Sequence, residues 1–402
     1  MSPIANDKDD IYRFLRVFNG LGLFTTNGAS WKKRRKYVTP LFGKVYMEDY
    51  FQRMTINCKK LVKKLDNLVG DSNIKIDHYL YRCYYDIVID NFISLAHEYV
   101  QSILKTYVDV LQIFRAYVLL HERMMKVWLH PDILFNRSSN GKRQKKLSTV
   151  LRDYFTKVSI YSKSLSKEAL PNDNGFISVY NVLEQIQEKN FETYYDVSPM
   201  DQIVTLFTAS EDTATTVTSF LLMILGMYPD VQDKVLLEIR ETIRNDLGSL
   251  TYKQLTKLKY LDMCVKEVLR LFPIAPYILR KLSGDLKLDN LTVPKGTTIL
   301  LSFYHVHRSK EHWEKPNEFY PEHFLPESIS ARNPYAFLPF SAGQRSCPGQ
   351  MYASAAIKVV AVWVLHHFVV EADGKIDDIA ITADISVRSI NGYKLRLRRR
   401  IE

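Results

Sequence analysis

The ten residues Phe340-Ser341-Ala342-Gly343-Gln344-Arg345-Ser346-Cys347-Pro348-Gly349 constrain this chain more than any other stretch. Leu338-Pro339 leads in, and a proline there marks irregular backbone. Gly343 permits a tight turn that brings backbone close to something flat or large. Pro348 suits a first helical turn, and Met351 to Val370 reads as a largely apolar helix. Cys347 is thereby placed at a helix N-terminus, two residues after Arg345. The positive end of a helix and a guanidinium both favour a thiolate. A thiolate so placed acts as a nucleophile or a metal ligand. The plain alternative is a buried inert thiol, as most free cysteines are.

The setting narrows the chemistry. A chain of 402 residues with 46% hydrophobic and 25% charged residues is globular and has a large core. No linker, low-complexity tract or repeat divides it, so residues 1–402 read as one domain. Cys58, Cys83, Cys264 and Cys347 form no C-x-x-C pair, which argues against structural zinc and a disulfide framework. The first ten residues are polar and acidic, unlike a signal peptide or an anchor. No apolar run reaches the roughly 18–20 residues of a membrane span. The net charge of +11 suits nucleic acid, anionic lipid or an acidic protein. No zinc-finger or RNA-recognition motif accompanies the basic runs, which leaves nucleic acid without support.

Four further patterns carry chemistry. Trp31-Lys32-Lys33-Arg34-Arg35 opens a helix with Trp31 and Arg35 on one face; alone it reads as a solvated basic face with one packed tryptophan. Ser198-Pro199-Met200-Asp201 starts a long apolar helix that runs to about Met227 and carries Ala209-Ser210-Glu211-Asp212-Thr213 in its middle. A buried acid and alcohol need partners or a purpose, and neighbouring backbone is the plain partner. Tyr260 to Phe272 is a helix with Glu267 and Arg270 three apart, which in isolation is an ordinary surface ion pair. Pro276–Arg280 and Thr298–Tyr304 read as strands, and Asn391-Gly392 reads as the turn of a hairpin between Ile385–Ile390 and Tyr393–Leu397.

Phe340, Gly343, Arg345, Cys347 and Gly349 together match F-x-x-G-x-R-x-C-x-G, and the chain resembles the cytochrome P450 superfamily from Trp31 to its C-terminus. The tone is that of family-four enzymes of insects and other animals. The resemblance implies a mainly α-helical fold with a small β-sheet. It makes Cys347 the axial thiolate of haem iron, where a thiolate pushes electron density that favours O–O cleavage. Trp31 and Arg35 match W-x-x-x-R and, with Arg280, would bind haem propionates. Ala209, Asp212 and Thr213 match A-G-x-D-T, in which the acid and alcohol guide protons toward the oxygen being reduced. Glu267 and Arg270 match E-x-x-R, a buried structural pair that His323 would complete.

Two positions depart from the pattern. Ser210 replaces a glycine that opens a groove in the helix, and His323 replaces an arginine with its planar fork and permanent charge. Alanine at 209 cannot form the ester tether of some relatives, so haem b would be held without a covalent bond beyond Cys–Fe. Roughly a hundred residues of a complete member, including an anchor and the first sheet strands, precede the region matched here, so the domain reads as N-terminally incomplete and the strand at Arg280 as short of sheet neighbours. The implied activity inserts one atom of O2 into a lipophilic substrate, such as a fatty acid. Electrons would come from NADPH through NADPH–cytochrome P450 reductase, with cytochrome b5 as a further partner, at the cytosolic face of the endoplasmic reticulum membrane. The rival readings are a non-catalytic remnant of the fold and a peroxide isomerase or dehydratase that needs no reductase.

Overall fold

Helix starts and stops in this chain are set by side chains that meet loose backbone groups. The computed structural model describes residues 3–93, 111–168, 179–243 and 247–400. Its helices of ten residues or more are α1 (Gly28–Val38), α2 (Lys44–Asp66), α3 (Ile76–Phe92), α4 (Leu111–Met125), α5 (Ser139–Glu168), α6 (Val179–Lys189), α7 (Pro199–Met227), α8 (Pro229–Ile243), α9 (Lys259–Leu271) and α10 (Gln350–His367). The Asp201 N–H donates to Ser198 Oγ at 3.2 Å, which caps α7, and Pro229 opens α8 two residues after α7 ends. The first three N–H groups of α9 donate to the Glu238 carboxylate of α8 at 2.6, 2.7 and 3.0 Å. A negative side chain is thus set against the positive end of a helix.

The strands are short: β1 (Asp7–Lys8), β2 (Ile74–Lys75), β3 (Tyr277–Lys281), β4 (Leu286–Leu288), β5 (Leu291–Val293), β6 (Thr298–Ser302), β7 (Phe368–Glu371), β8 (Ile381–Ala383), β9 (Val387–Ser389) and β10 (Lys394–Arg399). They form sheets in the orders β1-β3-β6 and β2-β10-β7, with two-stranded ladders β4-β5 and β8-β9. The fold is mainly helical with small sheets.

The chain divides into two compact units. The first holds Met1–Leu41, Val88–Ala209 and Leu279–Leu300. There the start of α7 grips the N-terminal segment: Asn19 donates to Thr208 Oγ1 at 2.8 Å, and Leu21 N–H to Asp201 at 2.8 Å. Gly22 is needed at this contact, since a Cβ would lie 1.9 Å from Thr205 Oγ1. The second unit holds Phe42–Ile87, Ser210–Ile278 and Leu301–Glu402. Its core stacks Phe220 of α7 on Phe272 with ring centroids 4.2 Å apart and sets Tyr393 edge-on to Phe220 at 4.9 Å. Tyr84 of α3 bonds Thr218 of α7 at 2.6 Å and donates to the Ala356 carbonyl of α10 at 3.3 Å.

Four local expectations need correction. Residues 298–304 do not form one strand: β6 ends at Ser302 and Phe303–Val306 turn into a short helix whose Phe303 is buried. The strand at Arg280 keeps neighbours on both sides, because Asp7 and Lys8 pair with Lys281 and Arg280. Asn391-Gly392 turns the chain, with Gly392 at φ 74°, but no hairpin forms across it. β9 pairs with β8, whereas β10 buries Leu395 and Leu397 and pairs with β2 and β7. Pro348 lies before the first turn of α10, whose N-cap is Gly349.

The described residues from 44 to 168 are mainly helical as α2 to α5, while 94–110 and 169–178 lie outside the described residues. Among the described residues no single helix is long and apolar enough to cross a membrane; α7 and α8 pass that test only together, bent by 112°.

Candidate functional site

In the second unit the cysteine loop is built from two left-handed residues. Gly343 has φ 74°, and Ser341 has φ 59°, the one positive φ outside glycine among the described residues. A left-handed non-glycine residue costs about 1–2 kcal/mol, so surrounding structure must hold it. Ser341 N–H donates to the Leu338 carbonyl at 3.1 Å, and Ser346 N–H to Gly343 at 3.1 Å. Cys347 N–H donates to the Phe340 carbonyl at 2.9 Å, which closes the loop on itself. Cys58, Cys83 and Cys264 are buried, whereas Cys347 is exposed. The inert-thiol alternative therefore describes the other three cysteines. Gly349 sits behind the sulfur: a Cβ there would lie 4.0 Å from Cys347 Sγ and 3.6 Å from the Phe42 ring.

In the same unit, Glu267 and Arg270 of α9 are both fully buried. Arg270 Nε and Nη2 donate to the two Glu267 oxygens at 2.7 Å each, a bidentate pair. The remaining guanidinium hydrogens reach the carbonyls of His307 at 2.9 Å, Pro316 at 2.6 Å and Glu318 at 2.8 Å. His323 Nδ1 lies 3.1 Å from Glu267 Oε1, and its Nε2 accepts from Lys315 N–H at 3.4 Å. His323 thus reaches Glu267 through a single ring nitrogen, where an arginine would bring a planar fork. Burial alone would raise the Glu267 carboxyl, but hydrogen bonds from Arg270 and His323 outweigh it and hold it below the usual range. The isolated-pair reading of Glu267 and Arg270 as a surface contact is therefore wrong; burial makes each depend on the other.

His307, which no motif singled out, links this network to the cysteine loop. Its carbonyl accepts from Arg270, and its Nε2 accepts from Leu338 N–H at 2.8 Å. Burial pushes its pKa down to about 4, so the ring stays a neutral acceptor.

On α7, Asp212 finds side-chain partners rather than backbone. Asp212 accepts from Arg388 at 2.7 Å and from Ser386 at 2.8 Å. Sequence patterns missed both partners, because Arg388 on β9 and Ser386 just before it lie about 175 residues away and only the folded chain brings them back. Thr213 Oγ1 reaches the Ser210 carbonyl at 3.5 Å, a weak bond within the helix. Glu211 is 1% exposed, and its Oε1 has no hydrogen-bond partner among the described residues. Burial, then the charges of Asp212 and Asp86, push its carboxyl well up.

The first unit carries Trp31, Arg35 and Arg280. Trp31 is 5% exposed and Arg35 half-buried, both on α1. The basic run around them is not a uniform solvated face. Arg34 is buried and donates to Leu21 and Asp196 carbonyls, and Lys33 pairs with Asp196 at 2.7 Å. Arg280 on β3 is 3% exposed; Nη1 donates to Leu279 O at 3.0 Å, and Nε has no acceptor among the described residues.

Comparison with known proteins decides the family. The cytochrome P450 family model matches residues 4–397. The chain is 30% identical to mouse cytochrome P450 4V2, over 98% of this chain and 77% of that protein. It is 27% identical to cytochrome P450 4c3 of Drosophila melanogaster, over 99% and 78% respectively, and 28% identical to cytochrome P450 4g1 of the same fly, over 98% and 77%. The chain belongs to the cytochrome P450 family. Members of this family are haem monooxygenases, and the relatives named here are family-four enzymes. The residues present fit that cofactor. An exposed cysteine on a fixed loop would suit an iron ligand, and a buried guanidinium with an unused N–H would suit a carboxylate such as a propionate.

Proposed function

We propose that this cytochrome P450 oxidises a lipophilic substrate, such as a fatty acid, with the whole chain acting as one catalytic domain. The observation that carries this reading is Cys347: the exposed thiol on a loop held by left-handed Ser341 and Gly343, just before α10. Cys347 would ligate the haem iron, with Phe340, Gly343 and Arg345 shaping its loop. Trp31, Arg35 and Arg280 would hold the propionates. Bound through a thiolate, haem would activate O2 so that one oxygen atom enters the substrate and the other leaves as water.

The chain's own residues manage protons and rigidity. Asp212 is anchored by Arg388 and Ser386, so moving a proton toward Thr213 requires its carboxylate to exchange one of those bonds. Thr213, whose hydroxyl lies 3.5 Å from the Ser210 carbonyl, would present that hydroxyl as the next group in the relay. Glu267, Arg270 and His323 fix the segment from which the cysteine loop departs. NADPH would supply electrons through its reductase, with cytochrome b5 as a second donor. A net charge of +11 favours such acidic partners and the anionic face of the endoplasmic reticulum membrane.

The test is the absorption spectrum of the reduced, carbon-monoxide-bound protein after haem loading. A strongly red-shifted Soret band, lost in Cys347→Ser, supports thiolate ligation. A band typical of histidine ligation, or no haem uptake, would turn the reading to a non-catalytic remnant. Turnover of a hydroperoxide without NADPH would turn it to an isomerase or dehydratase.

A further inference from the structure

Within the second unit, a groove of about 1050 Å³ opens beside the C-terminal end of α10, at the opposite end of that helix from Cys347. An 18-residue helix is about 27 Å long, so the groove is not part of the thiol site. Trp363 and Phe368 form its apolar floor, and both are at least nine-tenths buried. Lys59 and Lys63 stand one helical turn apart on α2, and Arg240 enters from α8. None of these three makes an ion pair among the described residues.

The charge count is lopsided. Of the lining acids, Asp66 is taken by Arg399 through two bonds of 2.6 and 2.8 Å. Glu241 is left against Lys59, Lys63, Arg240 and Arg400. Arg400 donates to the Leu365 and Phe368 carbonyls at the helix end and to Gln232. Burial pushes its pKa down; Asp233 opposes that, while like charge from Arg240 and Arg398 adds to it. The negative end of α10 offsets about half a charge. The floor adds an independent sign. Trp363 is 5% exposed, lines the groove, and its indole N–H has no acceptor among the described residues. An unpaired buried donor costs about 1–3 kcal/mol and is the mark of a missing partner. His367 stacks on the same indole at 5.7 Å and lies nearly parallel to it.

We propose that this groove is a binding site for a phosphate-bearing dianion, either a soluble diphosphate or a lipid phosphomonoester headgroup. Such an anion satisfies the cations at the rim and offers an acceptor to the indole, and neither role depends on haem.

The experiment is titration of the purified full chain with inorganic pyrophosphate at low ionic strength, followed by tryptophan fluorescence and calorimetry. A parallel arm measures sedimentation with phosphatidylcholine vesicles, with and without a phosphoinositide. Lys63→Glu and Arg240→Glu reverse exposed charges and leave the core of α2 and α8 intact, which circular dichroism checks. Each should weaken binding about tenfold at low salt. Lys295→Glu, outside the groove, should leave it unchanged. Saturable pyrophosphate binding assigns a soluble ligand. Binding to phosphoinositide vesicles alone assigns a headgroup. No saturable binding in either arm, or an equal loss in Lys295→Glu, overturns the proposal.

Discussion

Replacing Arg270 with methionine keeps the side-chain stem and removes the guanidinium. Its consequence follows from the bonds Arg270 makes. Two of them neutralise Glu267, and three of the others hold the carbonyls of His307, Pro316 and Glu318. Breaking a buried ion pair by removing one partner costs about 3–5 kcal/mol. The orphaned carbonyls add about 1 kcal/mol each where water does not reach them. The loss is therefore roughly 6–8 kcal/mol with all three carbonyls dry, against about 5–15 kcal/mol for a whole domain. Urea unfolding followed by circular dichroism measures it.

The pH dependence supplies a sharper signature. In the wild type the Glu267 carboxyl sits below its usual range, so its contribution is present above the unfolded pKa and is lost as pH falls through the folded value. Without Arg270, burial is no longer outweighed and the carboxyl moves up. Its contribution is then largest below the unfolded pKa, and the variant gains stability as pH falls from neutral toward roughly 4.5. The double variant Glu267→Gln/Arg270→Met removes the titration and should recover part of the loss. An Arg270→Met protein within about 1 kcal/mol of wild type, with unchanged pH slope, would refute the reasoning.

Other expectations can be read from the same molecule. Glu211→Gln should raise the urea midpoint at mildly alkaline pH and change little near the ordinary carboxylate range, because a carboxyl pushed up by burial loses its contribution as pH rises; equal midpoint shifts at both pH values would count against it. His307, with a pKa near 4, contributes stability above the ordinary histidine range that is lost as pH falls toward 4, a span worth about 3 kcal/mol. His307→Gln should flatten that part of the acid titration. Arg280→Leu should leave apoprotein melting unchanged or higher, since a buried charge with an unused N–H is removed, while haem occupancy read from the Soret-to-protein absorbance ratio falls.

The sequence alone determined the elements whose causes are local. Ser198-Pro199 sets the start of α7, Pro229 its end, and Gly343 the turn before Cys347, because caps, prolines and left-handed glycines act within a few residues. The motif spacing was legible for the same reason: Glu267 and Arg270 share a helical face wherever α9 is placed. Only tertiary structure decided what those residues meet. Neighbouring backbone was the plain partner for Asp212, yet it is held by Ser386 and by Arg388 of the distant β9. The Asn391-Gly392 turn was legible, yet its flanking strands part company: β10 pairs with β2 and β7 and buries Leu395 and Leu397, while β9 pairs with β8. Local propensity favours a turn at a cost of tenths of a kcal/mol, whereas burying two leucines is worth about 3–6 kcal/mol, so burial chooses the partner strand.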